Sequence, residues 1–314
     1  MMNIMDALGL SIPVVQGGMG NIPTGRFAAL ISEQGGVGTV SCGTLAPIEA
    51  EQQFKEARRL TDRTLAVNVP ISVNAAPEDM IRLAARYNMD VITLSAGNPA
   101  PYIPEIRALG MKVNVIVGTV SQAKKVAGMD VDIITCEGYE AAGINASTEA
   151  TTMTLIPQVK KAIDKPLIAA GGIGDGRGML AAMALGADLV QLGTRLVATR
   201  EHPAHHHYKA KIIEADESST KIYGRSVGRR RRLLENEYSE SLRKEEERGI
   251  SLGTYKENTD EEKHLLGAVE GDMHNGFING GQISGLIDEL PGVAELFSAF
   301  RSEFNDSLSN IKKL

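Results

Sequence analysis

The chain has no tryptophan, and aromatic residues make up only 4% of it. Stacking platforms for single-stranded nucleic acid are therefore poorly supplied. It also lacks positive charge: the formal net charge is −6, which argues against a nucleic-acid surface as the main function. There are only two cysteines, Cys42 and Cys136. They supply neither a disulfide framework nor metal-ligand spacing. Both follow apolar runs and read as buried thiols in a reducing compartment. No apolar run approaches the roughly 18 residues that span a bilayer. The stretch Met1–Val15 has no basic region and no cleavage site of the signal-peptide kind. These absences leave a cytoplasmic protein that acts on a small molecule, with no nucleic-acid or membrane partner. No HxxxH spacing or acidic cluster marks a metal site, so none is expected. His205, His206 and His207 are consecutive on an expected helix, point in different directions, and read as surface residues.

What is present is organised around Pro166–Arg195, PLIAAGGIGDGRGMLAAMALGADLVQLGTR. Leu167–Ala170 and Leu189–Leu192 have the length of buried parallel strands. Gly171-Gly172 with Gly174 follow the first, and Gly193-Thr194 follow the second. Gly178–Leu185 between them reads as a helix stopped by Gly186. Glycines at the carboxyl ends of successive strands let bare N–H groups approach an anion, beside the positive end of the next helix. That describes a phosphate cradle, a recurrent feature after strands seven and eight of a βα barrel. The alternative is that the glycines only make tight turns.

The same alternation runs through the first part of the chain. Strands are expected at Val14–Gln16, Gly38–Ser41, Leu65–Val69, Val91–Leu94, Lys112–Val117 and Ile133–Cys136, each followed by a helical pattern. Eight strand–helix units predict a (β/α)₈ TIM barrel. An open doubly wound sheet is the alternative, but its nicotinamide-binding form would need GxGxxG at the first turn, which is absent. Residues 1–200 and 265–314 form the expected barrel, and 201–264 an expected helical lid inserted after strand eight. Arg229–Arg232 in that insert, followed by acidic residues, reads as a solvated helix face laced with ion pairs. Some of these arginines could instead meet a phosphate-bearing substrate.

In a βα barrel, site residues come from the carboxyl ends of strands. Here those positions hold glycines, amides and hydroxyls, with Glu137 the one acid among them. No histidine stands beside a carboxylate there, so a hydrolytic triad is unsupported. A polar, uncharged mouth with a phosphate cradle suits a phosphorylated cofactor that carries the reactivity itself. Cys136 as a thiol nucleophile is the weaker reading, since nothing nearby in sequence lowers its pKa.

Val14–Gly20 (VVQGGMG), Ala66–Pro70 (AVNVP), Cys136–Ala142 (CEGYEAA), Ile168–Gly178 (IAAGGIGDGRG), Val190–Arg195 (VQLGTR) and Val269–Gly285 (VEGDMHNGFINGGQISG) together resemble the nitronate monooxygenase family. That family is also called 2-nitropropane dioxygenase-like, and it includes flavin-dependent enoyl-acyl-carrier-protein reductases. The likeness covers nearly the whole chain, in order, and is weakest across Glu217–Glu262. It implies noncovalent FMN. The phosphate would sit on Gly171, Gly172, Gly174, Gly193 and Thr194, and the ring against Gly17, Gly18 and Met19. Asn68, Glu137 and Gln191 would lie near the ring or ribityl chain, with Gln16 and Gly143 completing the expected cofactor and substrate set.

One departure matters. Where family members carry Glu-Ala-Gly-Gly-His after strand six, with the His in proton transfer, this chain has Glu140-Ala141-Ala142-Gly143-Ile144-Asn145. Ile144 has no proton to give, and Asn145 cannot act as a base. A nitronate is already deprotonated, so this loss weighs less on nitronate oxidation than on enoyl reduction. The expectation is therefore an FMN-dependent enzyme turning alkyl nitronate and oxygen into a carbonyl compound and nitrite, with Asn145 and Ser147 orienting substrate. For Asn145, loop capping is the competing reading. The competing functions are an NAD(P)H-dependent enoyl-thioester or activated-alkene reductase, a flavin-free phosphate-binding lyase or isomerase, and a non-catalytic flavin-binding protein. A homodimer is the expected assembly if the chain has a protein partner.

Overall fold

The computed structural model describes residues 3–22 and 24–313. Eight parallel strands form one sheet: β1 (Val14–Gln16), β2 (Gly38–Ser41), β3 (Leu65–Pro70), β4 (Val91–Ser95), β5 (Lys112–Val117), β6 (Ile133–Glu137), β7 (Leu167–Ala170) and β8 (Leu189–Leu192). Each strand pairs in parallel with its sequence neighbour from β2 to β8, and β8 pairs with β1. A bridge between Val15 and Val37 closes the ring, with Gln16 N donating to Val37 O at 2.8 Å and Val37 N to Val14 O at 2.9 Å. The sheet is a TIM barrel, as the alternating apolar runs predict.

Because side chains alternate along a strand, every second residue faces the barrel axis. The lowest inward layer is apolar: Val15, Ala66, Val91, Ile133, Ile168 and Leu189 pack together, and Ile4 and Leu8 from the N-terminal segment plug that end. The middle layer is polar and self-satisfied. Asn114 donates from Nδ2 to Thr135 Oγ1 at 2.9 Å and to Thr93 Oγ1 at 3.2 Å, and Thr135 Oγ1 donates back to Asn114 Oδ1 at 3.0 Å. Asn68 Nδ2 donates to Ser95 Oγ at 3.1 Å. The top layer (Pro70, Ser95, Ile116, Glu137, Gly172 and Gly193) faces a cavity. The outward faces of the strands and the surrounding helices make the main core, with Phe54, Met80, Ile92 and Phe297 fully buried.

Helix Gly176–Ala184 starts two residues before the expected Gly178, because Asp175 caps it by accepting from Gly178 N at 2.7 Å. Gly186 ends that unit at φ 107°.

The inserted segment departs from expectation. It carries helices, including His206–Ile213 and Glu237–Glu247, but also strands Thr220–Tyr223 and Arg231–Leu234. These pair antiparallel, and Arg231–Leu234 also pairs with Gly143–Ile144 and Ile278–Asn279 in a small four-stranded sheet. The arginine run is thus half strand, not a solvated helix face. Arg231 and Arg232 are buried, while Arg230 reaches Glu149 at 2.9 Å. The physical reason is that Arg231–Leu234 is an interior strand of that sheet, buried along its whole length, which a helical reading of charge density misses.

Candidate active site

The cavity over the barrel mouth measures about 280 Å³. One wall comes from the strand ends. Gly171 and Gly172 take φ of 97° and 72°, a backbone region that favours glycine, so the chain turns sharply there. Among the described residues, the amides of Gly171, Gly172, Ile173 and Gly193 donate to no protein acceptor. A Cβ added at Gly193 would meet no atom within 4 Å beyond its chain neighbours. Thr194, at the start of a short helix, accepts from Gly281 N at 3.0 Å and so ties the β8 end to the returning segment. Bare amides from two adjacent loops therefore open on one space, the arrangement an anionic phosphate needs.

The β1 loop supplies the next wall. Gly17, Gly18 and Met19 line the cavity beside Asn68 and Gln191. A Cβ on Gly18 would lie 2.4 Å from Asn68 Oδ1, so this loop passes close over the β3 end. A flat ring could lie against such bare backbone. Glu137, from the top of β6, faces the same space. Burial pushes its carboxyl up to about 8, so it is mostly protonated at neutral pH and can donate a hydrogen bond.

Of the residues expected here, Gly17, Gly18, Met19, Asn68, Glu137, Gly143, Gly171, Gly172, Gln191, Gly193 and Thr194 all line the cavity, as does Ile144 at its rim. Gln16 does not. Its neighbours Val15 and Gly17 face inward, so the Gln16 side chain turns away from the barrel axis, and its Oε1 accepts from Thr39 N of β2 at 3.2 Å. Gly174 does not either: a Cβ there would lie 2.5 Å from Ile283, so this glycine admits the returning segment. Asn145 turns back on its own loop, donating from Nδ2 to Ala141 O at 3.0 Å and Gly143 O at 3.1 Å. Ser147 is exposed outside the cavity. The structure thus corrects the placement of all four.

Cys136 is buried, and burial, with Glu137 next to it, pushes its thiol up to about 12, which removes it as a nucleophile. The rings of His205, His206 and His207 do not diverge as consecutive helix residues would. Their ligand atoms lie within 4.8 Å of one another because His205 precedes the helix as its cap.

The opposite wall was not anticipated. It is built from the insert and the returning segment: Arg231, Glu261, His264, Tyr208, Asn279 and Ile283. His264 is 2% exposed and stacks on Phe277 at 5.4 Å. Its Nδ1 is 3.5 Å from Glu261 Oε2, and Glu261 Oε1 is 3.5 Å from Arg231 Nη2. The Arg231 guanidinium lies over Phe277 at 4.8 Å and donates to Thr259 O at 2.9 Å. Burial alone would raise the Glu261 carboxyl, but His264 and Arg231 outweigh it and hold the group down at about 2. In the sequence, Asp260–His264 falls at the end of the expected lid. The available signal was the spacing of Glu261 and His264, three apart on one helix face.

Among the described residues, no helix is long and apolar enough to cross a membrane. A family model for nitronate monooxygenase matches residues 2–302. A probable nitronate monooxygenase of Bacillus subtilis (strain 168) is 30% identical over 281 residues, covering 76% of this chain and 81% of that one. A (3aS,4S,5R,7aS)-5-hydroxy-7a-methyl-1-oxo-octahydro-1H-indene-4-carboxyl-CoA dehydrogenase of Rhodococcus jostii (strain RHA1) is 29% identical over 329 residues, covering 93% of this chain and 92% of that one. Among solved structures, FabK from Thermotoga maritima superposes with a TM-score of 0.91 at 33% identity, covering 100% of this chain and 99% of that one.

Proposed function

We propose, from the premise that this chain belongs to the nitronate monooxygenase family, that its cavity holds FMN and that its substrate is an alkyl nitronate. The family is one of flavin-dependent oxidoreductases, and this chain is such an enzyme. The observation that carries the choice of FMN is the convergence of unpartnered amides at Gly171, Gly172 and Gly193 on one cavity. They suit a terminal phosphate, the group that distinguishes FMN from riboflavin. FMN, when bound, supplies the electron transfer by which alkyl nitronate and oxygen become a carbonyl compound and nitrite.

The protein's part is binding and orientation. The amides of Gly171, Gly172 and Gly193, with Thr194, hold the phosphate. Gly17, Gly18 and Met19 offer a flat backbone surface to the ring, and Asn68 and Gln191 offer side-chain amides to its edge. Glu137, neutral at pH 7, donates a hydrogen bond where a carboxylate would repel an anionic substrate. Cys42 and Cys136 are free buried thiols, which suits the reducing cytoplasm where we place the enzyme.

The test is anaerobic stopped-flow absorbance of the flavin-loaded protein, with nitrite measured after oxygen is admitted. Propionate 3-nitronate or ethyl nitronate is expected to bleach the flavin and then release nitrite. Unchanged absorbance with both would overturn the reading. A second reading, NAD(P)H-dependent reduction of an enoyl thioester, draws on Glu137 and His264, proton-bearing groups that line the cavity. Rapid bleaching by NADH or NADPH, with none by nitronates, would favour it.

A further inference from the structure

Four buried polar atoms of the insert wall have no hydrogen-bond partner of good geometry within 3.5 Å among the described residues: Glu261 Oε2, His264 Nδ1, His264 Nε2 and Asn279 Oδ1. Glu261 Oε2 and His264 Nδ1 face each other at 3.5 Å, but His264 Nε2 faces no protein acceptor or donor. Buried polar atoms are nearly always partnered, so this nitrogen asks for a ligand or a reaction. All four atoms belong to residues that line the cavity.

Their setting is built. Phe277 lies under both the imidazole and the Arg231 guanidinium, which fixes the ring plane. Helix Glu261–Leu265 passes directly into a wider π-helical turn, Leu266–Glu270, an irregularity often found at functional sites. Gly20 brings the β1 loop against the pair: a Cβ there would lie 2.6 Å from Glu261 Oε2 and 3.1 Å from His264 Nδ1. The pair is therefore next to Gly17, Gly18 and Met19, where a substrate would meet the ring. The strand that carries Arg231 is also in register with the loop after β6, Arg231 opposite Ile144. Ile144 brings no proton-transfer group, and the pair stands across from it on the insert.

A carboxylate facing Nδ1 sets the tautomer of an imidazole with its proton on that nitrogen, leaving Nε2 as a bare lone pair. We propose that His264, oriented by Glu261, is the base of this site and that its Nε2 removes the proton from the carbon bearing the nitro group of a neutral nitroalkane. The C–H bond breaks and an N–H bond forms at Nε2. The electron pair of the broken bond becomes the second bond between carbon and nitrogen, and the negative charge goes to the nitro oxygens. Glu261 balances the imidazolium. The product is a nitronate, so the inference rests on the nitronate reading above and extends it to the uncharged precursor.

Proton–deuterium exchange at the α-carbon of nitroethane, followed by NMR in D₂O without oxygen, isolates this step from oxidation. The flavin-loaded protein is expected to accelerate exchange over the uncatalysed background. His264→Gln is expected to lose about 100-fold of that acceleration, the usual scale of a general base. Glu261→Gln keeps the ring and is expected to lose roughly tenfold or more of the exchange through its tautomer. In histidine ¹⁵N spectra of the flavin-free protein, the Nε2 resonance missing from His264→Gln is expected to move when propionate, a planar anion shaped like a nitronate, is added. No acceleration by the wild type, undiminished exchange in His264→Gln, or an unmoved resonance would overturn the assignment. Exchange without nitrite release from nitronates would keep the base and sink the oxidative reading. Nitrite release without exchange would do the reverse.

Discussion

The cavity has two walls made of different material. The strand-end wall is backbone: glycines of the β1, β7 and β8 loops, with the amides of Gly171, Gly172 and Gly193 open to the cavity. The insert wall is side chain: an arginine, a carboxylate and an imidazole gathered on one aromatic ring. Bare amides bind an anion at a fixed place with no proton to exchange. Ionisable side chains orient and move protons. On the proposed reading the two walls divide the labour, with the cofactor on the barrel and substrate chemistry on the insert.

The sharpest way to break that division is at Gly193. Its φ is negative and its Cβ direction is empty. Gly193→Val therefore adds bulk to the phosphate seat with no clash in the protein. We expect FMN affinity to fall about a thousandfold, about 4 kcal/mol, with the thermal midpoint of the flavin-free protein nearly unchanged. Equilibrium quenching of flavin fluorescence measures it. Retained affinity would mean that the phosphate lies elsewhere.

The matching test of the insert wall is Glu261→Gln. The native carboxyl is held below its ordinary value, so its stabilising effect is present above the ordinary carboxylate range and is lost as pH falls toward 2. Removing the charge leaves Arg231 and His264 without their counter-ion, which costs about 3 kcal/mol at neutral pH. Denaturant titrations at pH 7 and pH 3 are expected to show a gap from wild type that narrows at the lower pH. FMN affinity is expected to hold within about threefold, since no cradle contact is touched. A large loss of flavin would join the two walls into one unit.

Glu137 stands between the walls and shows the opposite sign. Its native carboxyl keeps its proton up to about 8, while the unfolded chain gives it up near the ordinary 4.5. The native state therefore binds more protons across that window, and stability falls as pH rises through it. The flavin-free protein is expected to lose about 2 kcal/mol between pH 6 and pH 8, and Glu137→Gln to flatten that slope. Paired denaturation curves would show it. An unchanged slope in the variant would mean that Glu137 is ionised and solvated in the cavity.

The two walls also differ in how far they could be read from the sequence. The barrel was legible because eight short apolar runs repeat at one spacing, and all eight strands fall where they were expected within a residue. The glycine-lined strand-end wall was legible because a glycine at a strand end is a backbone instruction, local to that position. The insert wall was not. Arg231 and His264 come from segments whose charge density resembles solvated surface, and they reach the cavity only through the strand pairing of Arg231–Leu234 with Gly143–Ile144 and Ile278–Asn279. Such long-range pairing leaves no local trace. Gln16 was misplaced for a simpler reason: it was counted at the strand end without asking which way a period-two chain turns its side chain.

Asn145 offers the finest discrimination between the walls. It was expected to orient substrate, and it sits two residues beyond Gly143, which does line the cavity. Its Nδ2 instead bridges Ala141 O and Gly143 O, and its own N–H donates to Arg230 O at 2.9 Å. The side-chain bonds brace the loop on itself, and Asn145→Ala removes them while the backbone bond to Arg230 remains, so the loop should loosen by about 1 kcal/mol, the net worth of a hydrogen bond or two. The kcat/KM for ethyl nitronate is expected to stay within about twofold, because no bond to substrate is lost. Steady-state nitrite release beside a urea titration separates the cases. A tenfold fall in kcat/KM at unchanged stability would place Asn145 against the substrate after all, and would return the polar chemistry of this site to the barrel loop.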